Sequence, residues 1–232
     1  MAEESVHGST PVREYPDICF EVMKENQEFL LSNAKGVSDE GIKLINDAID
    51  HAALVTKNER GRELYVERSM VFFLYHVLMP FSYAVYTELL LGNTPGCFMD
   101  LRLMLESLVK CYAADSRYRN ATLFHERLEL LESKRPSINR LMREVGRQVG
   151  LNSQFADLWN ELSREWVHTK GIVDRVVDRL LQDSGVPNWA LVVPMAYTES
   201  DLYGLDHVRT QMSRFRTLLA HTMEEYREEI GF

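Results

Sequence analysis

Residues 94–112 read TPGCFMDLRLMLESLVKCY, and this stretch decides the fold class. Its apolar side chains recur every three or four residues, which is the spacing that lines one face of an α-helix. These positions are Phe98, Leu101, Leu105, Leu108 and Tyr112. Thr94 is a residue type that caps helix N-termini, and Pro95 suits the first helical position because proline has no backbone N–H to leave unpaired. We therefore predict a core helix that is capped by Thr94.

Helical spacing dominates the chain on both sides of this stretch. It runs from about residue 15 to residue 181 and again from 201 to 229, with short breaks at glycine, proline or asparagine. Between these parts, residues 184–200 contain two prolines and a glycine, so we predict one long irregular loop there. The sequence thus predicts an all-α, antiparallel multi-helix bundle that forms a single domain from residue 15 to residue 232. Residues 1–14 are expected to be a flexible N-terminal tail.

Two local features can be predicted in more detail. A long helix is expected over residues 62–91, with a kink near Pro80, because proline removes a backbone donor and clashes with the preceding turn. Ser38 is followed by two acidic residues, a pattern typical of a helix N-terminus. We therefore expect Ser38 to cap the helix that carries Ile42, Ile45 and Ile49.

Composition narrows the class of protein. Of the 232 residues, 45% are apolar and 26% are charged, which is typical of a folded globular chain. The formal net charge is −9. Non-specific DNA binding depends on neutralising phosphates with basic side chains. Any nucleic-acid site is therefore expected to be a local basic patch and not the whole surface.

The run between Arg68 and Glu88 carries no formal charge and is nearly as long as a membrane-spanning helix. Its 19 residues approach the length that crosses a bilayer, about 20 residues. His76, Pro80 and Ser82 interrupt it, and the sequence has no second run of this kind to pair with their polar groups. We predict a buried central helix and no membrane association, with a membrane span as the alternative.

The sequence contains no motif that would bind a cofactor. It lacks the glycine-rich phosphate loops G-x-G-x-x-G and G-x-x-x-x-G-K-[ST]. A di-iron bundle needs two Glu-x-x-His pairs, and the chain has one, Glu165 and His168. Cys19, Cys97 and Cys111 form no C-x-x-C pair and are odd in number, so neither a disulfide framework nor a zinc ribbon is indicated. We expect no cofactor, no metal site and a cytoplasmic location.

The basic residues concentrate in one segment. Residues 134–147 carry five basic side chains and one acidic side chain, which gives a net charge of +4. Arg140, Arg143 and Arg147 follow i, i+3, i+7 spacing, which places three guanidinium groups on one helix face where they could follow phosphates. The alternative is an ordinary solvated face. We take these three arginines as the candidate phosphate- or RNA-binding residues.

A second candidate site lies on the helix of the opening stretch. Arg102 and Glu106 are one helical turn apart beside the apolar stripe, so both side chains are expected to be partly buried. Charged groups that lose hydration are tolerated best when they gain further partners. The pair is therefore either a structural ion pair or part of a site, and we expect it to lie within reach of His168.

Three segments carry a resemblance to a known family. Residues 83–92 read YAVYTELLLG, residues 100–107 read DLRLMLES, and residues 162–168 read LSREWVH. Their order resembles an uncharacterised branch of the HEPN-like helical domains (higher eukaryotes and prokaryotes nucleotide-binding), in which an R-x-x-x-E helix precedes a Leu-Ser…Val-His helix end. The resemblance covers about residues 71–171, and the last long helix fits it as well.

The resemblance implies an antiparallel helical bundle, often dimeric. In the catalytically active members it implies a metal-independent ribonuclease with an arginine and a histidine spaced R-x(4–6)-H on one helix. In such a reaction the histidine would move a proton at the 2′-hydroxyl or the leaving oxygen, and the arginine would hold the phosphate. Arg164 and His168 are separated by three residues, so their spacing departs from that pattern. Together with Arg102 and Glu106 they form the candidate catalytic set.

Two functions follow as hypotheses. The first is a HEPN-like RNA- or nucleotide-associated protein, with metal-independent ribonuclease activity as one form of it. The second is a non-catalytic helical interaction module, in which Arg102, Glu106 and His168 form a polar network that fixes helix register. A homodimer is expected for two reasons. The resemblance implies one, and residues 70–91 carry more apolar side chains than one bundle is expected to cover.

Overall fold

Helical periodicity along the chain is matched by helical structure. The computed structural model describes residues 15–163 and 194–230; 85% of these residues are helical, and no strand occurs among them. The predicted all-α multi-helix bundle is confirmed. The expected N-terminal tail, residues 1–14, lies outside the described residues.

The helices are joined by short connections. In chain order they are α1 (Tyr15–Asn33), α2 (Lys35–Lys57), α3 (Gly61–Glu67), α4 (Ser69–Phe73), α5 (Met79–Leu90), α6 (Thr94–Arg117), α7 (Phe124–Ser133), α8 (Ile138–Gln148), α9 (Gln154–Leu162) and α10 (Leu202–Ile230). A π-helical turn, Leu74–Leu78, joins α4 to α5. A single 3₁₀ turn, Glu199–Asp201, precedes α10.

Helix α6 lies at the centre of the bundle. It packs against α4, α5, α7, α8, α9 and α10. The stripe predicted for it is buried: Phe98, Leu101, Leu105 and Leu108 have no exposed surface, and Tyr112 is 5% exposed. Removing such a side chain from water stabilises the fold by about 1.5–3 kcal/mol. The spacing read from the sequence therefore identified the core face of the central helix.

Both predicted helix caps are wrong. The cap of α6 is Asn93, whose side chain accepts a hydrogen bond from the Gly96 amide at 3.3 Å, and Thr94 is the first helical residue. Helix α2 begins at Lys35, so Ser38 lies inside its first turns and is buried. The Ser38 hydroxyl lies 3.2 Å from the Tyr86 hydroxyl of α5. A contact between helices has replaced the local capping bond at this serine.

The predicted helix over residues 62–91 is interrupted twice. Arg68 has an extended backbone between α3 and α4, and the π-helical turn Leu74–Leu78 ends two residues before Pro80. A proline ring clashes with the carbonyl four residues earlier, which here is the carbonyl of His76 within that turn. The wider turn accommodates the ring, so the predicted irregularity near Pro80 is present and has a steric cause.

Ser69–Leu90 is the one segment of the described residues that is long and apolar enough to cross a membrane. One side of it belongs to the core: Met70, Phe73, Leu78, Val85 and Leu89 have no exposed surface. Burial is confined to this side, since 39% of the most apolar stretch is buried, so the expected buried central helix is confirmed only in part.

A buried carboxylate connects four helices. Asp115 of α6 accepts hydrogen bonds from the backbone amides of Ser69 and Met70, at 2.9 and 3.0 Å, and thereby satisfies the N-terminus of α4. It also accepts from Arg127 Nη1 of α7 at 3.2 Å and from the Tyr226 hydroxyl of α10 at 2.7 Å. The side chains of Asp115 and Arg127 are 1% and 3% exposed. Burial and the Asp115 carboxylate raise the pKa of Tyr226 well above its ordinary value, so its hydroxyl remains a donor.

The segment before α10 is fastened by one side chain of α1. Of the predicted loop, residues 184–193 lie outside the described part of the chain, and residues 194–198 are irregular as expected. Asn26, fully buried, donates through Nδ2 to the carbonyls of Leu90 and Met195, both at 2.9 Å. Its Oδ1 accepts from the Tyr197 amide at 2.8 Å. The chain approaches so closely that a Cβ at Gly92, which has φ +73°, would lie 2.0 Å from the Met195 carbonyl oxygen.

We predict that Asn26→Ala lowers the free energy of unfolding by about 2–4 kcal/mol, because two partly buried carbonyls and one buried amide would lose the Asn26 side chain as a partner. Asn33→Ala is the matched control on the same helix. Asn33 is exposed and donates only to the Phe29 carbonyl, at 3.2 Å, so its replacement is expected to cost less than about 0.5 kcal/mol. Urea unfolding measures both values. Equal losses in the two variants would show that the Asn26 contacts do not hold this segment.

Candidate functional site

The predicted pair on α6 is formed and has a third member. Arg102 Nε donates to Glu106 Oε1 at 2.9 Å, with side chains that are 26% and 25% exposed. The indole Nε1 of Trp159 on α9 donates to the same oxygen at 2.7 Å. The Arg102 guanidinium carbon lies 5.4 Å from the centroid of the Trp159 ring, which is within cation–π distance. We call Arg102, Glu106 and Trp159 the α6–α9 cluster.

The three side chains of the α6–α9 cluster bind one another. Hydrogen bonds to an ionised carboxylate are the stronger kind, and two of them converge on one Glu106 oxygen. The guanidinium is held both by the carboxylate and by the ring. Partial burial of the pair, as expected from its position beside the apolar stripe, is confirmed. These contacts fix the position of α9 against α6 and favour a structural role for the pair.

The other half of the predicted catalytic set cannot be placed. Arg164 and His168 lie outside the described residues, as does the Glu165 and His168 pair considered for a metal. Helix α9, which ends at Leu162, brings Trp159 to Arg102 and Glu106. That His168 lies within reach of Arg102 and Glu106 therefore stays a prediction.

A second polar cluster joins α9 to α10, and the sequence analysis missed it. Glu161 accepts from Gln211 Nε2 at 3.0 Å and forms an ion pair with Arg214. Gln211 is 1% exposed and lies 3.3 Å from His207 Nε2. His207, Gln211 and Arg214 follow i, i+4, i+7 spacing on α10, a signal that was available in the sequence.

Helix α10 also contains two arginine–histidine pairs with the spacing that the resemblance implies. Four residues separate Arg216 from His221, and six separate Arg214 from His221. Arg216 is bound to Glu40 at 2.8 Å and to Asp47 at 2.6 Å, and His221 is exposed. Residues five apart in an α-helix lie about 140° apart around its axis, so Arg216 and His221 point in different directions. Both arginines take part in ion pairs between helices.

The three arginines predicted to bind phosphate lie on one exposed helix face. Arg140, Arg143 and Arg147 of α8 are exposed. The opposite face buries Leu141, Met142 and Val145 in the core. The Arg147 Nε donates to the Arg143 carbonyl at 3.3 Å. We call Arg140, Arg143 and Arg147 the α8 arginine face, and the i, i+3, i+7 prediction for it is confirmed.

The charge of the α8 arginine face is not balanced by its neighbours in the described part of the chain. None of the ion pairs found there includes Arg140, Arg143 or Arg147. The acid on the same helix, Glu144, is paired with Arg117 of α6, whose Nε donates to it at 2.9 Å. Three guanidinium groups therefore face solvent, and together they carry at most 15 N–H donors. The chain as a whole has a net charge of −9.

Among residues 15–163 and 194–230, no three His, Cys, Asp or Glu side chains are placed so that they could hold a metal ion.

Comparisons with protein-family models, with curated proteins and with solved structures found no match to this chain. The resemblance to the HEPN-like domains therefore depends on the motif residues alone.

We predict that the α6–α9 cluster couples its two helices energetically. Trp159→Phe removes the indole N–H and is expected to lower the free energy of unfolding by about 1–2 kcal/mol, as is typical for a hydrogen bond to a charged group. In a Glu106→Gln background the same change should cost less, with a coupling energy of at least about 0.5 kcal/mol. Chemical unfolding of the two single variants and the double variant measures this. Additive losses would mean that Trp159 stabilises α9 by packing only.

Proposed function

We propose that this protein is an RNA- or nucleotide-associated protein of HEPN-like type that binds phosphates through the α8 arginine face. The single observation that carries the proposal is the exposure of Arg140, Arg143 and Arg147 on one face of α8, without an acidic partner among the described residues. The motif resemblance is a second, independent support.

The geometry of this face suits a chain of phosphates. Arg140 and Arg147 are seven residues apart, which corresponds to about 10 Å along the helix axis, with Arg143 between them. Guanidinium groups bind phosphate oxygens in a bidentate manner, which favours arginine over lysine for this task. A chain with net charge −9 would repel a polyanion over most of its surface. The binding site is therefore a local one, and its affinity depends on few contacts.

Ribonuclease activity is the finer form of this proposal. It depends on the resemblance and on Arg102, Glu106, Arg164 and His168, of which the first two are held in the α6–α9 cluster. Cleavage would need His168 to move a proton at the 2′-hydroxyl or the leaving oxygen and an arginine to hold the phosphate. Such a reaction needs no metal, so activity in EDTA that is lost in His168→Ala would support it.

The second candidate function is a non-catalytic interaction module. One observation favours it: Glu106 already accepts hydrogen bonds from Arg102 and Trp159, and both contacts serve the packing of α9 on α6. On this proposal the cluster fixes helix register and performs no chemistry.

We also propose that the protein is a homodimer. The resemblance supports it, and the surface offers apolar area for it, since Met99 and Leu103 on α6 are 55% and 42% exposed. They lie four residues apart, on one side of the helix. Light scattering of a dilute sample that reports only monomer would overturn this part of the proposal.

We predict that the triple variant Arg140→Gln, Arg143→Gln, Arg147→Gln binds a single-stranded RNA octamer at least about tenfold more weakly than the wild type. Its plot of log affinity against log salt concentration should be less steep by about 2, since each lost phosphate contact to a single strand removes about 0.7 from the slope. Fluorescence anisotropy over a range of salt concentrations measures both quantities.

The matched control replaces three exposed arginines elsewhere, Arg60, Arg62 and Arg209, by glutamine. It changes the net charge by the same amount, so a general effect of charge would weaken binding equally in both triple variants. The proposal requires the loss to be confined to the α8 variant. Wild-type protein that binds no RNA and no nucleotide would remove the proposal altogether.

A further inference from the structure

A cavity opens where three helices end. Its volume is about 510 Å³, within the range of roughly 300–1,000 Å³ that is usual for cavities that hold small molecules. Its walls are formed by Tyr112, Ser116, Arg119, Gln148, Glu225 and Glu228. Ser116 lies in the last turn of α6, Gln148 is the last residue of α8, and Glu228 lies in the last turn of α10. The cavity therefore lies at the C-terminal ends of α6, α8 and α10.

The ends of these helices favour a cation. The last carbonyls of an α-helix have no intrahelical donor, and the helix dipole gives that end a partial negative charge. One cation in the wall already follows this rule: Arg119 comes just after α6, and its Nε donates to the Ser116 carbonyl at 3.3 Å. That arginine serves the end of α6, while the ends of α8 and α10 border the same cavity. The polarity of the cavity therefore suits a positively charged ligand.

Two carboxylates of α10 add formal negative charge to the wall. Glu225 and Glu228 are three residues apart, so they lie on one side of the helix, and both are exposed. Neither forms an ion pair with another described residue. The cavity thus has two acidic groups that no described basic side chain approaches to ion-pair distance.

A buried hydroxyl group of α6 lacks a partner among the described residues. The Tyr112 side chain that carries it is 5% exposed and lines the cavity. Fully buried side-chain atoms without a partner are confined, in the described chain, to His51, Arg68 and Asn139, so the Tyr112 hydroxyl keeps access to the cavity. Burial, followed by the nearby Glu225 carboxylate, raises the pKa of Tyr112, so the hydroxyl is neutral and can accept a hydrogen bond. Buried polar groups normally have a partner, and here the open side of the hydroxyl is the cavity.

These groups match a primary ammonium group. An ammonium group donates three hydrogen bonds and accepts none, so it needs acceptors on several sides. The carboxylates of α10, the Tyr112 hydroxyl and the side-chain carbonyl of Gln148 are such acceptors. A single small ion would fill only a minor part of 510 Å³, so the matching ligand also carries an alkyl chain.

We propose that this cavity binds a linear polyamine of the spermidine type. One ammonium group lies between the Tyr112 hydroxyl and the carboxylates of Glu225 and Glu228. A second ammonium group lies beside Gln148 and the C-terminal ends of α6 and α8, and the aliphatic chain between the two spans the cavity. This inference goes beyond the proposed RNA binding and uses no residue of the α8 arginine face, so either proposal can fail without the other.

Isothermal titration calorimetry tests the site on the 232-residue chain without RNA, in about 0.15 M salt, where exposed charges are largely screened. The probes are spermidine, butylamine and Mg²⁺. We expect spermidine to bind at one site per chain and at least about tenfold more tightly than butylamine, because its second ammonium group binds intramolecularly once the first is bound. Mg²⁺ should bind more weakly than spermidine.

The double variant Glu225→Gln, Glu228→Gln should weaken spermidine binding at least about tenfold, because hydrogen bonds to charged groups are the stronger kind. The matched control is Glu25→Gln, Glu28→Gln on α1. Glu25 and Glu28 have the same spacing, are exposed, form no ion pair with a described residue and do not line the cavity. The control changes the net charge equally and should keep the wild-type affinity.

Tyr112→Phe removes a single oxygen atom from the cavity wall. It should weaken spermidine binding by about three- to tenfold, the effect of one lost hydrogen bond to a charged group. The melting temperature without ligand should stay unchanged or rise slightly, because this oxygen has no partner among the described residues. Circular dichroism melts measure that temperature and verify that every variant is folded.

Each result decides for or against the polyamine site. A loss of affinity in the cavity variants, with the α1 control unchanged, supports it. Equal weakening in the two double variants would reveal a general attraction to an acidic chain and would overturn the site. Butylamine or Mg²⁺ that binds as tightly as spermidine, an unchanged affinity in Tyr112→Phe, or no spermidine binding by the wild type would overturn it as well.

Discussion

The bundle depends on one buried carboxylate. Asp115 is the acceptor for the N-terminal amides of α4, for the Arg127 guanidinium of α7 and for the Tyr226 hydroxyl of α10, at distances between 2.7 and 3.2 Å. Arg127 also donates from Nε and Nη2 to the Ala121 carbonyl, at 3.1 and 2.8 Å, so the buried cation has two partners. A buried charged group is tolerated only when it has hydrogen-bond partners, because a buried charge without partners loses its hydration and gains no interaction in exchange.

The Asp115 network continues into an aromatic contact between α6 and α10. The Tyr226 ring lies 6.2 Å from the Tyr112 ring, centroid to centroid, and Asp115 and Tyr112 lie one turn apart on α6. Several arginines of the described chain form ion pairs between helices, for example Arg117 with Glu144 and Arg216 with Asp47. The three arginines of the α8 arginine face form no such pair within the described residues. The exposure of these three charges is the observation on which the phosphate proposal depends.

Sequence patterns predicted the features that depend only on residues close together in the chain. The stripe on α6, the exposed arginine spacing on α8 and the irregular turn before Pro80 follow from helical periodicity and proline geometry. The cap at Asn93 and the buried Ser38 were missed because a tertiary contact or a neighbouring residue outcompeted the expected cap. Trp159 was missed as the partner of Glu106 because 53 residues separate them. Pairing at such distances depends on how helices pack, which periodicity does not reveal.

The central claim is that Asp115 holds α4, α7 and α10 against α6, and the free energy of unfolding of Asp115→Asn tests it most directly. The account predicts a loss of about 3–5 kcal/mol, as for breaking a buried charge pair, together with faster hydrogen exchange at the Ser69 and Met70 amides. Glu144→Gln breaks a partly exposed ion pair and is expected to cost less than about 1 kcal/mol. Losses of similar size in the two variants, with unchanged exchange at Ser69 and Met70, would contradict the account.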